Sequence, residues 1–166
     1  MSLTFREALT MIHGMFFGGG LLLAFTGGLA LLYHLQADLL TAAGIRRHLL
    51  WLKLATLVMA GLAWAAVLIG TYIIYPWYYI GPRSFLTGEA SLALWDAFGM
   101  VWKQHIAWFA PLLDTAVAFV VWRYGAHLAR DSRLRWALII LFAFAFAAAS
   151  IAGLMGALIT KTAPVS

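Results

Sequence analysis

The chain has 166 residues, 64% hydrophobic and 10% charged, with a formal charge of +5 and no cysteine. A water-soluble domain carries about 25% charged residues, so this composition excludes a globular surface in water. The absence of cysteine excludes a disulfide framework, a thiolate metal site, covalent c-type haem attachment and a cysteine-held iron–sulfur cluster.

A membrane-spanning helix needs about 20 mainly apolar residues, and four stretches meet that requirement. The first covers residues 9–35. Its leader sets Arg6 beside Glu7, and the run is longer than the apolar core of a signal peptide, so it is expected to stay as a span. A short polar linker, 36–48, leads to the second span at 49–75. Pro76 is expected to end that helix, because it lacks an N–H and restricts Tyr75. The connection 76–100 is the long one. It carries a belt of amphipathic rings (Tyr72, Tyr75, Trp77, Tyr78, Tyr79, Trp95 and Trp102), a turn at Gly81-Pro82 and an expected short interfacial helix at 92–98, capped by Ser91. The third span follows at 101–124, with Pro111 as a kink point and Gly99 as a flexible one. After linker 125–133, the fourth span runs over 134–160.

Short linkers make neighbouring helices antiparallel, so the predicted fold is all-α: one domain, residues 1–166, forming a four-transmembrane-helix up-down bundle. Arg46, Arg47, Lys53, Arg123, Arg130, Arg133 and Arg135 flank the two short linkers, whereas Arg6, Arg83, Lys103 and Lys161 lie on the other side. The positive-inside rule then places both linkers in the cytoplasm. Both termini would lie on the outer, periplasmic side of a bacterial inner membrane. Basic residues at helix ends form no stripe for nucleic acid. Lipid and the other membrane subunits of a complex are the expected partners, and dense glycine and alanine suit close helix packing in lipid.

Five histidines carry the functional argument. His13 and His34 lie 21 residues apart in the first span, and His105 and His127 lie 22 apart in the third. At 3.6 residues per turn each pair stays near one helix face, and the first and third helices of an up-down bundle face each other diagonally. Bis-histidine haem ligation needs one imidazole from each of two such helices at one depth. This layout resembles that of the di-haem membrane cytochromes b, and the resemblance implies haem b as cofactor and electron transfer as activity. Twenty-one residues of helix span about 31 Å, close to the whole hydrocarbon thickness, so one haem is favoured over two. The outer pair, His13 and His105, is its expected ligand set. Gly14, the triple glycine Gly18–Gly20, Ala24 and Gly27 leave room for a porphyrin face. Trp102, Trp108 and Phe109 would cover the ring, and Lys103 and Arg83 would meet its propionates. His34 and His127, the ligands of any second haem, and His48 beside Arg46-Arg47 read first as solvated residues at helix ends.

Asp114 is a carboxylate deep in the third span, where a charge is costly and faces a cavity, a partner or the bundle interior. It is a candidate for proton relay from a quinol site framed by Tyr75 and Trp77, or for a structural bond to Thr115. No nucleotide loop, HExxH motif or nucleophile triad is present, so a stand-alone enzyme is not expected. The leading expectation is a haem b electron-transfer subunit of a respiratory or photosynthetic redox complex, linked to quinone. The alternative is a non-catalytic accessory subunit bracing a larger membrane assembly.

Overall fold

The computed structural model describes residues 4–163, and these form an all-helical bundle with no strand. Four helices are long and apolar enough to cross a membrane: α1 (Phe5–His34), α2 (Ala42–Ile80), α4 (Trp95–Leu128) and α5 (Ser132–Thr162). A short helix, α3 (Pro82–Gly88), lies between α2 and α4. Three of the four long helices, α1, α2 and α5, start on polar caps. Thr4 and Glu7 form a reciprocal capping box that begins α1 at Phe5. Thr41 accepts from the Gly44 N–H at 3.2 Å, and Asp131 accepts from Arg133 and Leu134 at 2.9 and 3.0 Å. Asp131→Ala should cost about 1 kcal/mol of stability, the usual value of an N-cap, read as an earlier midpoint in a denaturant titration in detergent.

Two expectations about the long connection are corrected. Pro76 does not end the second helix, which runs to Ile80 and breaks at Gly81. A widened π turn at Gly70–Ile74, closed by Tyr75 N–H on Gly70 O, precedes the proline. That slack relieves the clash of the ring with the preceding turn. The short helix also lies earlier than residues 92–98, at α3, where Pro82 occupies a first-turn position that needs no N–H donor. Leu92 and Ala93 instead bond to Glu89 O and lead straight into α4. Pro111 has the expected effect: α4 is interrupted at Trp108, beside the carbonyl of Ala107 that the proline cannot satisfy.

The helices pack in cyclic order α1–α2–α4–α5, which leaves α1 and α4 diagonal. Both short linkers sit at one end, where Ala37 N–H donates to Ala129 O at 2.9 Å. The opposite, terminal end gathers the start of α1, the ends of α2 and α5, and the start of α4. There Phe5 meets Trp77 edge-on at 6.2 Å and Ile159 packs on Gly99. The linker half is tightly filled by Leu32, Leu35, Leu52, Met59, Val117, Val121, Leu128 and Phe142. Arg135 is buried among them, and its Nη1 donates to Leu128 O at 2.8 Å and Leu35 O at 3.2 Å.

Candidate functional site

The terminal half is open where the linker half is closed. A cavity of about 1080 Å³ lies between α1, α2, α4 and α5, with mostly apolar walls. Its floor is set by Leu21, Ala63, Ala110 and Phe146, and its mouth by Arg6, Trp77 and Lys161. Its size exceeds the 300–1,000 Å³ of ordinary small-molecule sites.

Three π turns surround it. They cover Ile12–Phe17 in α1, Gly70–Ile74 in α2 and Trp95–Met100 in α4, all in the terminal half. A π turn inserts an extra residue, widens the helix and commonly marks a functional site. In α1 it also re-aims the glycine stripe. From His13 the cavity face steps five residues to Gly18 and then to Leu21, so Gly14, Gly18 and Gly19 line the space. Gly20 packs on Leu62 instead, and Gly27 is exposed. Ala24 is half-buried against the linker-half core.

Most of the chamber wall is apolar, and three of its polar side chains stand out. His13 rests against Gly70, where a Cβ would come within 3.1 Å of its Cε1, and its Nδ1 is buried without a hydrogen-bond partner. Gln104 Nε2 is likewise buried and unpartnered. Lys103 reaches across to α5, its Nζ 2.8 Å from the position of a Cβ on Gly156, and no described carboxylate pairs with it. A buried polar group without a partner costs about 1–3 kcal/mol, and two such nitrogens beside a lysine with no described carboxylate call for a ligand or ordered water.

The expected haem ligands are separated. His13 faces the cavity, whereas His105 is exposed outside it and its Nδ1 pairs with its own backbone at Val101 O, 2.8 Å away. His105 shares an outward-facing stripe with Phe109, Leu112 and Phe119, each of these three more than half exposed. The inward stripe runs Lys103, Ala107, Ala110, Asp114, Val117 and Val121. Bringing His105 to the place of Gln104 would take a turn of about 100° of α4. Of the residues expected to cover a ring, Trp102 and Phe109 point outward, and Trp108 packs edge-on to Trp64 at 6.1 Å.

The other candidates divide likewise. Tyr75 and Trp77 line the cavity, and Tyr75 shares a 2.7 Å hydroxyl bond with Tyr79. Arg83 does not line it. Its guanidinium sits 3.4 Å from Asp96, which also accepts from Tyr78 at 2.5 Å, and stacks on Tyr79 at 4.7 Å. Tyr78→Phe should loosen this end of the bundle by about 1–2 kcal/mol, since Asp96 loses its shortest partner; faster proteolysis of the α2–α4 connection would report it. His34 and His127 are exposed at helix ends beside Tyr33 and Tyr124 and share no cavity. His48 is half-buried in α2. Asp114 is buried one turn below Ala110, without a side-chain hydrogen bond among the described residues. Thr115, the expected partner, instead bonds Pro111 O at 2.6 Å and accepts from Trp64 at 3.0 Å.

Gln104 is the site residue that sequence reasoning missed. Its signal was present: Gln104, Ala107, Ala110 and Asp114 repeat at three- and four-residue steps as small or polar groups, opposite a stripe of Phe and Leu. Among the described residues no group of three or more His, Asp or Glu is placed to hold a metal ion. No family model, curated protein or solved structure matches the chain.

Proposed function

We propose that this chain is an electron-transfer subunit of a multi-pass membrane redox complex, holding its redox ligand in the cavity of the terminal half. The observation that carries the reading is a large, mostly apolar chamber in which His13 Nδ1 and Gln104 Nε2 are buried without a protein partner and Lys103 meets no described carboxylate. Its ligand must be lipophilic and must offer hydrogen-bonding atoms to three side chains. Quinones and haems are the lipid-soluble ring compounds that answer that description, and both carry electrons. Three π turns around the chamber support a built site over a packing flaw.

Haem b is one form of this reading, and the inward His13 favours it. His13 would hold such a group through its imidazole and Lys103 would offer a cation to its carboxylates; the bound iron would supply one-electron chemistry. His105, which lies outside the cavity and bonds Val101 O, and His34 and His127, which share no cavity, have no part in this proposal. The orientation with both termini periplasmic belongs to the same proposal and rests on the seven-to-four bias of basic residues.

A reduced-minus-oxidised spectrum of the purified protein, with haem quantified per chain as the pyridine complex, tests the haem form. About one haem, lost in His13→Ala and kept in His105→Ala, is the expected signature of ligation in the cavity. Loss in both variants would restore the two-histidine site. No haem, together with no redox-active ligand of any kind, would leave an accessory subunit that braces a larger assembly.

A further inference from the structure

We infer that the cavity is a lateral-entry quinone site, in which Lys103, Gln104 and His13 receive the ring carbonyls and a glycine-walled gap between α1 and α5 admits the ligand from the lipid. This rests on the proposed redox role and names the ligand that serves it. A benzoquinone or naphthoquinone ring carries two carbonyl acceptors and no donor. The chamber offers the converse: a lysine ammonium, a glutamine amide and an imidazole nitrogen, two of these groups having a buried nitrogen without a partner. Both carbonyls find donors without any further polar group on the ring. Tyr75 and Trp77 at the wall supply aromatic surface for stacking.

The entry route follows from which residues line the chamber and also face outward. On α1 these include Met15, Gly18 and Leu22, and on α5 Gly153, Leu154 and Ala157. A Cβ on Gly18 or Gly153 would meet nothing within 4 Å, so the gap between the helices is open at both. Below it the seam closes, where Phe25 stacks on Phe142 and Phe146 at 4.9 and 4.1 Å. A polyprenyl tail fits this opening: the head sits inside, and the tail leaves between α1 and α5 into hydrocarbon.

The test measures quinone carried by the full-length protein purified in mild detergent, by solvent extraction and chromatography. Binding of a decyl-substituted benzoquinone is then followed by equilibrium dialysis and stopped-flow quenching of tryptophan fluorescence. Near one quinone per chain is expected, with a saturable site for the decyl probe. Lys103→Met and Gln104→Leu should each weaken binding at least tenfold, and His105→Ala should not change it. Lys103→Met should also raise the thermal midpoint, because an unpaired cation leaves an apolar chamber; weak binding by a more stable protein cannot be attributed to misfolding. Gly18→Leu with Gly153→Leu should slow association at least tenfold and shift the equilibrium little. Equal affinity in wild type, Lys103→Met and Gln104→Leu would overturn the carbonyl assignment, and unchanged association in the glycine double variant would overturn the route. Phospholipid retained in place of quinone, and lost in Lys103→Met, would reassign the site to an anionic lipid. Quinone bound as described but never reduced or oxidised in native membranes would sink the redox role and leave the binding site standing.

Discussion

Arg135→Met should destabilise the bundle by about 3–5 kcal/mol, the largest loss expected from any single side chain that does not touch the cavity. The guanidinium lies in the first turn of α5, where the helix dipole disfavours a cation. It is held there because its Nη1 donates to Leu35 O, just past the end of α1, and to Leu128 O, at the end of α4. Those carbonyls belong to the negative ends of two helices and have no further turn to bond. One cation therefore caps two helices and neutralises two helix ends from a third. Hydrogen bonds to a charged group contribute about 1.5–3 kcal/mol each, and methionine fills the volume while supplying no donor. A titration with SDS against dodecyl maltoside, followed by helicity, measures the loss. A midpoint shift below the equivalent of about 1 kcal/mol would show that the two carbonyls find water in the variant.

Gly28→Leu should cost about 1–3 kcal/mol or more, by forcing α1 and α5 apart where their seam is tight. A Cβ on Gly28 would already stand 2.8 Å from Phe142 Cζ and 3.8 Å from Ala55 Cβ. Phe142 is fully buried and stacked on Phe25, so its ring has nowhere to swing. Overpacking of a filled core carries a cost of that order. Gly28→Ala should cost less, and Gly28→Ala with Phe142→Leu should recover part of the loss, since the shorter side chain vacates the space the methyl needs. Additive effects in that double-mutant cycle would mean that the two positions do not meet. The same wedge should widen the gap above it, so the Gly28→Leu protein is also expected to admit the decyl quinone faster.

How far the site was legible from sequence depends on the helix. In α4 the outward direction of His105 was readable, because it shares its stripe with Phe109, Leu112 and Phe119 while Lys103 and Gln104 share theirs with Ala107, Ala110 and Asp114. Depth-matched histidines drew attention away from that periodicity. In α1 the stripe was not readable. A count at 3.6 residues per turn carries His13 to Gly20 and Gly27, and the π turn at Ile12–Phe17 shifts it to Gly18 and Leu21. Nothing in the residues IHGMFF announces that extra residue. Pro76 misled for the same reason, since the π turn ahead of it allows the helix to continue.

What the sequence determined by itself was the number of helices long and apolar enough to span a membrane, their antiparallel order and the all-helical class. Inside lipid every backbone N–H and C=O must be bonded within its own segment, so a 20-residue apolar run has almost no alternative to a helix. Short linkers then leave little choice of neighbour. Only the tertiary structure decided how each helix is rotated about its axis, and with it which polar side chains meet. Rotation is set by how four helices share glycines, alanines and stacked phenylalanines, and by π turns that hydropathy does not register. For that reason Arg135, read from sequence as one more basic residue at a helix end, is a double helix cap in the fold. His13, read as half of a ligand pair, stands instead with Lys103 and Gln104 in the wall of the terminal-half chamber.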